Sequence, residues 1–171
     1  GHGKSFTDRT GVKRDLKIIL REAVPRSIPV VIGSAGGCGA QPHLQWSREI
    51  IEEVACEENL SFKMGLIPAD INKAFICQAI RDNKIYPIHG VEPLTEQIVA
   101  ESGHIVAQMG IEPIIEAIEK DCQVILAGRA YDPTAFAAMP IKRGYDVALA
   151  LHLGKILECA AIAAEPGSGS D

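Results

Sequence analysis

The sequence is poor in aromatic residues, which make up 5% of its 171 positions. Aliphatic side chains and alanine must therefore fill the core, and this composition favours helices packed on a Val/Ile-rich sheet over an all-β sandwich. An excess of positive charge is also missing, since the formal net charge is −5. Lys and Arg stand adjacent only at 13–14 and 142–143, so nothing indicates a nucleic-acid-binding patch.

Cysteine and histidine patterns typical of bridged or metal-binding proteins are absent. The five cysteines include no C-x-x-C pair, and an odd, scattered set argues against a disulfide framework or a structural zinc site. The histidines show neither H-x-x-x-H nor H-E-x-x-H spacing, so we expect no metal site. No apolar run approaches the roughly 20 residues of a membrane span, and no signal peptide opens the chain. We therefore expect a cytoplasmic protein that binds no membrane.

The chain alternates short β-branched runs with amphipathic helical segments, which predicts βαβ units and a mostly parallel sheet. We expect a three-layer, Rossmann-like α/β domain with helices on both sides of that sheet. Strands are predicted at 28–33, 61–67 and 122–128, and helices at 10–23, from Pro42 onward, 71–80, 112–120, after 128–133, and 147–164; residues 95–109 read as helical with an interruption at 102–103. Residues 147–164 are apolar almost all round, which predicts a buried helix.

Three polar or glycine-rich stretches follow the predicted strands: GSAGGCGAQPH, IPADIN and GRAYDP. Ligands of parallel α/β sheets gather beyond the carboxyl ends of the strands. We therefore expect these three loops to open on one rim of the sheet and to share a pocket there.

The first loop contains Gly36, Gly37 and Gly39, which permit positive φ and would expose main-chain N–H groups to an anion at a helix N-terminus. The loop matches neither the P-loop nor the dinucleotide-binding motif. It is equally well explained as a tight strand-to-helix turn. His43, at the helix start, could bind an anion or act as acid or base, or be a partly exposed histidine without a role. Cys38 could be a nucleophile, but the sequence identifies no partner base for it, which favours its interpretation as a small loop residue.

The other two loops each contain a carboxylate. Arg129 could grip a carboxylate or phosphate, or form a structural ion pair with Asp132. Asp132 could also cap the following helix, and Asp70 is either an active-site carboxylate or the N-cap of helix 71–80. Lys155 and Glu158, one helical turn apart, could pair with each other.

Taken together and in order, five stretches resemble the acyclic terpene utilisation (AtuA) family. The most specific are the glycine loop with the PHLQW that follows it, and GRAYDP. The remaining stretches are GKSFTDRTGVKRDL, HIVAQMGIEPIIEAI and ALALHLGKILECAAIAAEPGSGSD. The resemblance covers 3–171 and supplies no catalytic residue. It implies a small residue at the position of Cys38, which weighs against a nucleophile there.

The resemblance implies an intracellular, bacterial-type protein considerably longer than this sequence. Residues 1–2 read as a tag remnant, and 3–171 as a single α/β domain with a further strand region before it and more chain after it. On this view EPGSGSD is native sequence rather than a synthetic linker. The family is associated with the breakdown of acyclic terpenes and branched acids through coenzyme A thioesters.

Two functions remain open. The first is an enzyme or enzyme subunit of the hydratase or lyase type, acting on a small carboxylate or an acyl-CoA thioester as substrate. In it the glycine loop and His43 hold the anionic group, Arg129 neutralises a second charge, and Asp70 or Asp132 moves protons. The second is a non-catalytic binding or scaffold module whose glycine loop is purely structural. A partner subunit or a homo-oligomer is compatible with both.

Overall fold

A computed structural model describes residues 4–5 and 7–163. The helices are α1 (Arg9–Ala23), α2 (Gln41–Glu57), α3 (Lys73–Arg81), α4 (Glu96–Glu101), α5 (Glu112–Glu119), α6 (Thr134–Lys142) and α7 (Val147–Cys159). The strands are β1 (Val30–Ile32), β2 (Met64–Ile67) and β3 (Val124–Ala127). The predicted tag remnant and the C-terminal EPGSGSD lie outside the described residues.

The three strands form one parallel sheet in the order β1-β3-β2. Leu126 of β3 stands opposite Ile32 on one side and Leu66 on the other. The last strand of the chain is therefore the central one, and its four residues are all buried. This arrangement confirms the predicted parallel α/β sheet.

Helices cover both faces of the sheet, as the sequence predicts. Val124 and Leu126 of β3 belong to a core cluster with α1 and α2, whereas Ile125, between them, packs with α5 and α6. Successive strand residues point to opposite faces, so a continuously apolar strand is what a doubly covered sheet requires.

A row of ion pairs joins α1 to α2 on the outer surface. Lys13 contacts both Glu53 and Glu57, and Arg9 also contacts Glu53. The hydrogen bonds from Lys13 hold the pKa of each of these two carboxyls below the ordinary glutamate value.

The segment predicted as a buried helix, 147–164, is helical over α7, but the prediction that this helix is buried is wrong. Helix α7 packs on α6, not on the sheet, through small residues such as Gly154, which abuts Pro133. Its large apolar side chains face outward, and Leu149 is 71% exposed. Periodicity alone could not distinguish a helix inside the core from one resting on another helix. The predicted Lys155–Glu158 pair is present at 2.7 Å.

Two further local predictions are corrected. Asp70 does not cap the helix that follows it, because the Asn72 side chain accepts the hydrogen bond from the Ala74 N–H and α3 begins at Lys73. The helical reading of 95–109 holds only for α4, and the chain beyond Glu101 is irregular with isolated bridges at Val106 and Met109. No helix among the described residues is long and apolar enough to cross a membrane.

Candidate functional site

The loops that follow the three strands meet at one rim, as predicted. Gly39, after β1, and Ala69, after β2, both lie against Gly128, which follows β3: a Cβ atom on Gly128 would stand 2.7 Å from the Gly39 carbonyl oxygen and from the Ala69 Cβ. The register of the parallel strands brings their carboxyl ends level. Contact this close leaves no room for a side chain on Gly39 or Gly128, which explains why both residues are glycines.

The glycine loop is a tight turn whose main-chain donors are largely used within the protein. Gly37 N–H donates to the Ser34 carbonyl at 2.8 Å and Gly39 N–H to the Ala35 carbonyl at 3.0 Å. Cys38 N–H donates to His43 Nδ1 at 3.4 Å, and Ala40 N–H points to Cys38 Sγ at 3.5 Å. An anion at this rim would therefore be held by side chains more than by the loop's N–H groups.

A pocket of about 400 Å³ opens beside this loop, between the rim and helices α1 and α2. One wall is apolar and comes from Val12, Leu16, Ile32 and Trp46. The polar side chains of Ser34, Arg129 and Asp132 line it as well. A cavity with an apolar wall and a few polar groups is the usual form of a small-molecule site.

Ser34 connects the loop after β1 to the residues that follow β3. Its hydroxyl donates to the Ala130 carbonyl at 3.2 Å, accepts from the Ala130 N–H at 3.3 Å, and lies 3.4 Å from Arg129 Nη1. The residue has a φ of 47°, in the left-handed region that side-chain-bearing residues rarely adopt. Ser34 was not predicted from the sequence, because its partners Arg129 and Ala130 lie 95 and 96 positions away and no motif connects them.

Arg129 and Asp132 form the predicted ion pair, but a loose one. Nη2 of the guanidinium stands 3.4 Å from the Asp132 carboxylate, and both side chains are about one-third exposed, at 31% and 35%. A guanidinium has five N–H donors, so donors remain for a ligand. Asp132 does not cap α6, whose first turn has no side-chain cap.

Asp70 occupies the β2 side of the rim, where its two oxygens have different partners. Oδ2 accepts from the Gln41 N–H at the start of α2, at 2.6 Å, and Oδ1 lies 3.0 Å from His104 Nδ1. Asp70 therefore caps α2 from another loop and orients a histidine. No spacing in the sequence links His104 to Asp70, because the two residues meet only through the fold.

His43 is 5% exposed, so the expectation of a partly exposed histidine at the helix start is wrong. Its Nδ1 lies 3.2 Å from Cys38 Sγ. The side chain that contacts the Cys38 thiol is therefore His43, five positions later and in the first turn of α2.

The seven predicted site residues fall into two groups. Gly36, Gly37, Arg129 and Asp132 line the pocket. Gly39, His43 and Asp70 do not line it, so the pocket is shared by the loops after β1 and β3 and not, as predicted, by the loop after β2 as well. Across the part of the chain that the structure describes, no group of three or more His, Cys, Asp or Glu side chains is arranged to hold a metal ion.

Comparison with known proteins adds a family. No curated protein and no solved structure matches the chain. One family model does match, that of the acyclic terpene utilisation family protein AtuA, over residues 7–167. Since this match spans nearly the whole sequence, the chain belongs to the AtuA family.

Proposed function

We propose that the chain is an enzyme, or an enzyme subunit, that acts on a small branched carboxylate or its acyl-CoA thioester in branched-chain or acyclic terpene catabolism. Membership of the AtuA family supports a role in acyclic terpene utilisation. The proposed substrate class rests on one observation: the same pocket contains Arg129 and an apolar wall.

Arg129 is the group that would hold the carboxylate. Its fork of N–H donors matches the two oxygens of a carboxylate, and its contacts to Ser34 and Asp132 are both 3.4 Å long. Hydrogen bonds of that length are easily exchanged for shorter ones to a ligand. The Ser34 hydroxyl beside it would add one further polar contact.

The apolar wall would hold a branched aliphatic chain. Val12, Leu16 and Trp46 line the same pocket with uncharged surface, and apolar area removed from water contributes about 25 cal/mol per Å². A pocket of about 400 Å³ suits a small acid or the acyl end of a thioester. The nucleotide part of coenzyme A would remain outside it.

Asp132 would supply the proton chemistry inside the pocket. Hydration, dehydration and lyase reactions need a proton moved close to the bound carbonyl or carboxylate, and a carboxylate at the same wall can do this. The Asp70–His104 pair, at the same rim, is a second acid–base couple: the carboxylate orients Nδ1 and leaves the other ring nitrogen of an exposed histidine to exchange protons.

The test is a calorimetric titration of the chain with 3-methylbutanoate, with 3-methylbutanamide as the uncharged analogue. We expect the acid to bind and the amide to bind at least tenfold more weakly. Arg129→Ala should lower the affinity for the acid about 10- to 100-fold, which is what the loss of a charge-assisted hydrogen bond costs. Arg21→Ala, which removes an exposed guanidinium of α1 paired only with its neighbour Glu22, is the matched control.

Equal binding of acid and amide, or unchanged binding by Arg129→Ala, would overturn the proposal. If Arg129→Ala instead unfolds the domain, the Arg129–Asp132 pair is structural. Arg129→Lys, which keeps the charge but loses the fork, then decides whether acid binding depends on the guanidinium.

A second candidate function is a binding or scaffold module. The outward face of α7 favours it, because Leu149, Leu153 and Leu157 are each half exposed or more, and apolar patches of this kind mark protein contacts. Light scattering of the chain and of Leu153→Glu would show whether this face joins copies; a module of this kind would bind neither the acid nor the thioester.

A further inference from the structure

We propose that Cys38 is a nucleophilic thiol, activated by His43, that accepts an acyl group from a thioester. This inference takes only its class of substrate, an acyl thioester, from the proposed function. The nucleophile and its base are assigned from contacts on the rim that the carboxylate site does not use.

The Cys38 thiol and the His43 ring meet in catalytic geometry. Sγ lies 3.2 Å from Nδ1, and Cys38 is exposed to solvent. An accessible thiol within hydrogen-bond reach of an imidazole nitrogen is the arrangement by which cysteine nucleophiles lose their proton. The Ala40 N–H, 3.5 Å from Sγ, adds a donor for negative charge on the sulfur.

The ring of His43 is held in one orientation. It is 5% exposed, and Gly36 packs directly on it: a Cβ atom at Gly36 would stand 2.8 Å from the His43 Cβ and 3.2 Å from Nδ1. Gly36 also has a φ of 61°. The loop therefore uses a glycine where any side chain would push the imidazole away from Cys38.

The hydrogen bonds identify Nδ1 as the acceptor. The main-chain N–H of Cys38 points to it at 3.4 Å, which puts the ring proton of the neutral imidazole on Nε2. Nε2 is fully buried and has no hydrogen-bond partner among the described residues. An unpaired buried polar atom costs stability, and an apolar residue would fill this site without that cost. What a histidine provides here that an apolar residue would not is the contact of its other nitrogen with Cys38.

The charged side chains of the adjoining segments are engaged elsewhere. Asp70 bonds the Gln41 N–H and His104, and Arg129 contacts Ser34 and Asp132. His43 is therefore the group placed to take the proton from Cys38.

The reaction is a thioester exchange. Sγ attacks the carbonyl carbon of an acyl thioester while its proton passes to His43 Nδ1. The tetrahedral intermediate then breaks its bond to the leaving sulfur, and the proton on Nδ1 goes to the departing thiolate. One thioester is formed and one is broken, so the step requires no oxidant, reductant or further reactant.

The activation of Cys38 is tested by alkylation with iodoacetamide, with Cys56 as the control within the same molecule. Cys56 is also exposed and lies on α2. Peptide mass spectrometry should find Cys38 alkylated at pH 7 at least tenfold faster than Cys56. His43→Asn and Gly36→Ala should each reduce the alkylation rate of Cys38 to that of Cys56, and leave the rate of Cys56 unchanged. Equal alkylation rates for the two thiols in the unmodified chain would overturn the proposal even if both variants fail to fold.

Acyl transfer is tested by incubating the chain with acetyl-CoA and with 3-methylbutanoyl-CoA. Intact mass should show one acyl adduct that hydroxylamine removes and that maps to Cys38. Cys38→Ser should abolish the thioester adduct, and Cys56→Ser should retain it. Fast alkylation without any acyl adduct would overturn the acyl-acceptor role. Binding of 3-methylbutanoate through Arg129 is measured separately, so failure here and failure of the proposed function give different results.

Discussion

The main chain of Gly39 lies directly against that of Arg129, so closely that a Cβ atom added to Gly39 would stand 2.1 Å from the Arg129 nitrogen. This contact fixes the loop after β1 to the loop after β3. It also determines where the Arg129 side chain leaves the rim for the pocket.

Gly39→Ala should therefore destabilise the domain strongly. Its φ of 71° is unfavourable for alanine by about 1–2 kcal/mol, and the main-chain clash adds an overpacking cost, for a total loss on the order of 3 kcal/mol. Urea unfolding gives the free energy. Gly144→Ala is the matched control, because Gly144 has a φ of 86° and open space around it. Equal losses in the two variants would show that no close contact exists at Gly39.

Removal of the Asp70 carboxylate should destabilise α2 from its start. Asp70→Ala deletes the acceptor for the Gln41 N–H, and loss of a helix cap costs about 1 kcal/mol. Hydrogen exchange should quicken in the first turn of α2. Asp146→Ala removes the side-chain cap of α7 and serves as the comparison, since it should leave exchange in α2 unaltered. Unchanged exchange at Gln41 in Asp70→Ala would contradict this role.

The outer position of α7 predicts unequal effects of two substitutions on that helix. Leu149→Gln should change stability by no more than about 0.5 kcal/mol, as expected for an exposed site. Gly154→Ala should cost about 1–3 kcal/mol, because its new Cβ would stand 2.7 Å from the Pro133 carbonyl oxygen. Thermal unfolding of both variants gives the comparison. A large loss in Leu149→Gln alone would mean that α7 is buried after all.

The ion pairs between α1 and α2 predict a loss of stability in acid. Hydrogen bonds from Lys13 lower the pKa of Glu53 and Glu57 from the ordinary 4.5. Their contribution is therefore present above pH 4.5 and disappears as the pH falls through the lowered values. Glu53→Gln with Glu57→Gln should reduce stability modestly at neutral pH and flatten its decline in acid.

Urea titrations across the acid range test this, with Glu92→Gln, in the irregular segment before α4, as the control. The difference between the double variant and the unmodified chain should shrink steadily as the pH falls. A constant difference at every pH would show that the two carboxylates do not contribute through their charge.

The sequence predicts the architecture well because its strongest signals are local. Each of the three strands lies within its predicted run, and α5 (Glu112–Glu119) agrees with its predicted range to one residue. Glycine and proline mark the turns between them. The burial of α7 was misjudged for a different reason: an apolar helix looks the same whether it packs on a sheet or on another helix.

The sequence predicts where the candidate site lies but not which side chains meet there. The rim follows from parallel strands, which bring Arg129 and the glycine loop together. Two side-chain contacts at the rim, Cys38 with His43 and Asp70 with His104, depend on side-chain directions and on a chain segment without regular structure. His104 lies 34 positions from Asp70, and no periodicity connects them.

The central place of β3 has a consequence for how the molecule forms. Within the described residues, strands β1 and β2 pair with β3 and not with each other, so neither finds a sheet partner there until residues 124–127 have been synthesised. Contacts of such long sequence separation slow folding. The pocket and its rim are therefore complete only once this strand has joined the sheet, since Arg129 and Asp132 follow it in the chain. A nascent or truncated chain lacking that strand would present two unpaired edges, a state prone to aggregation.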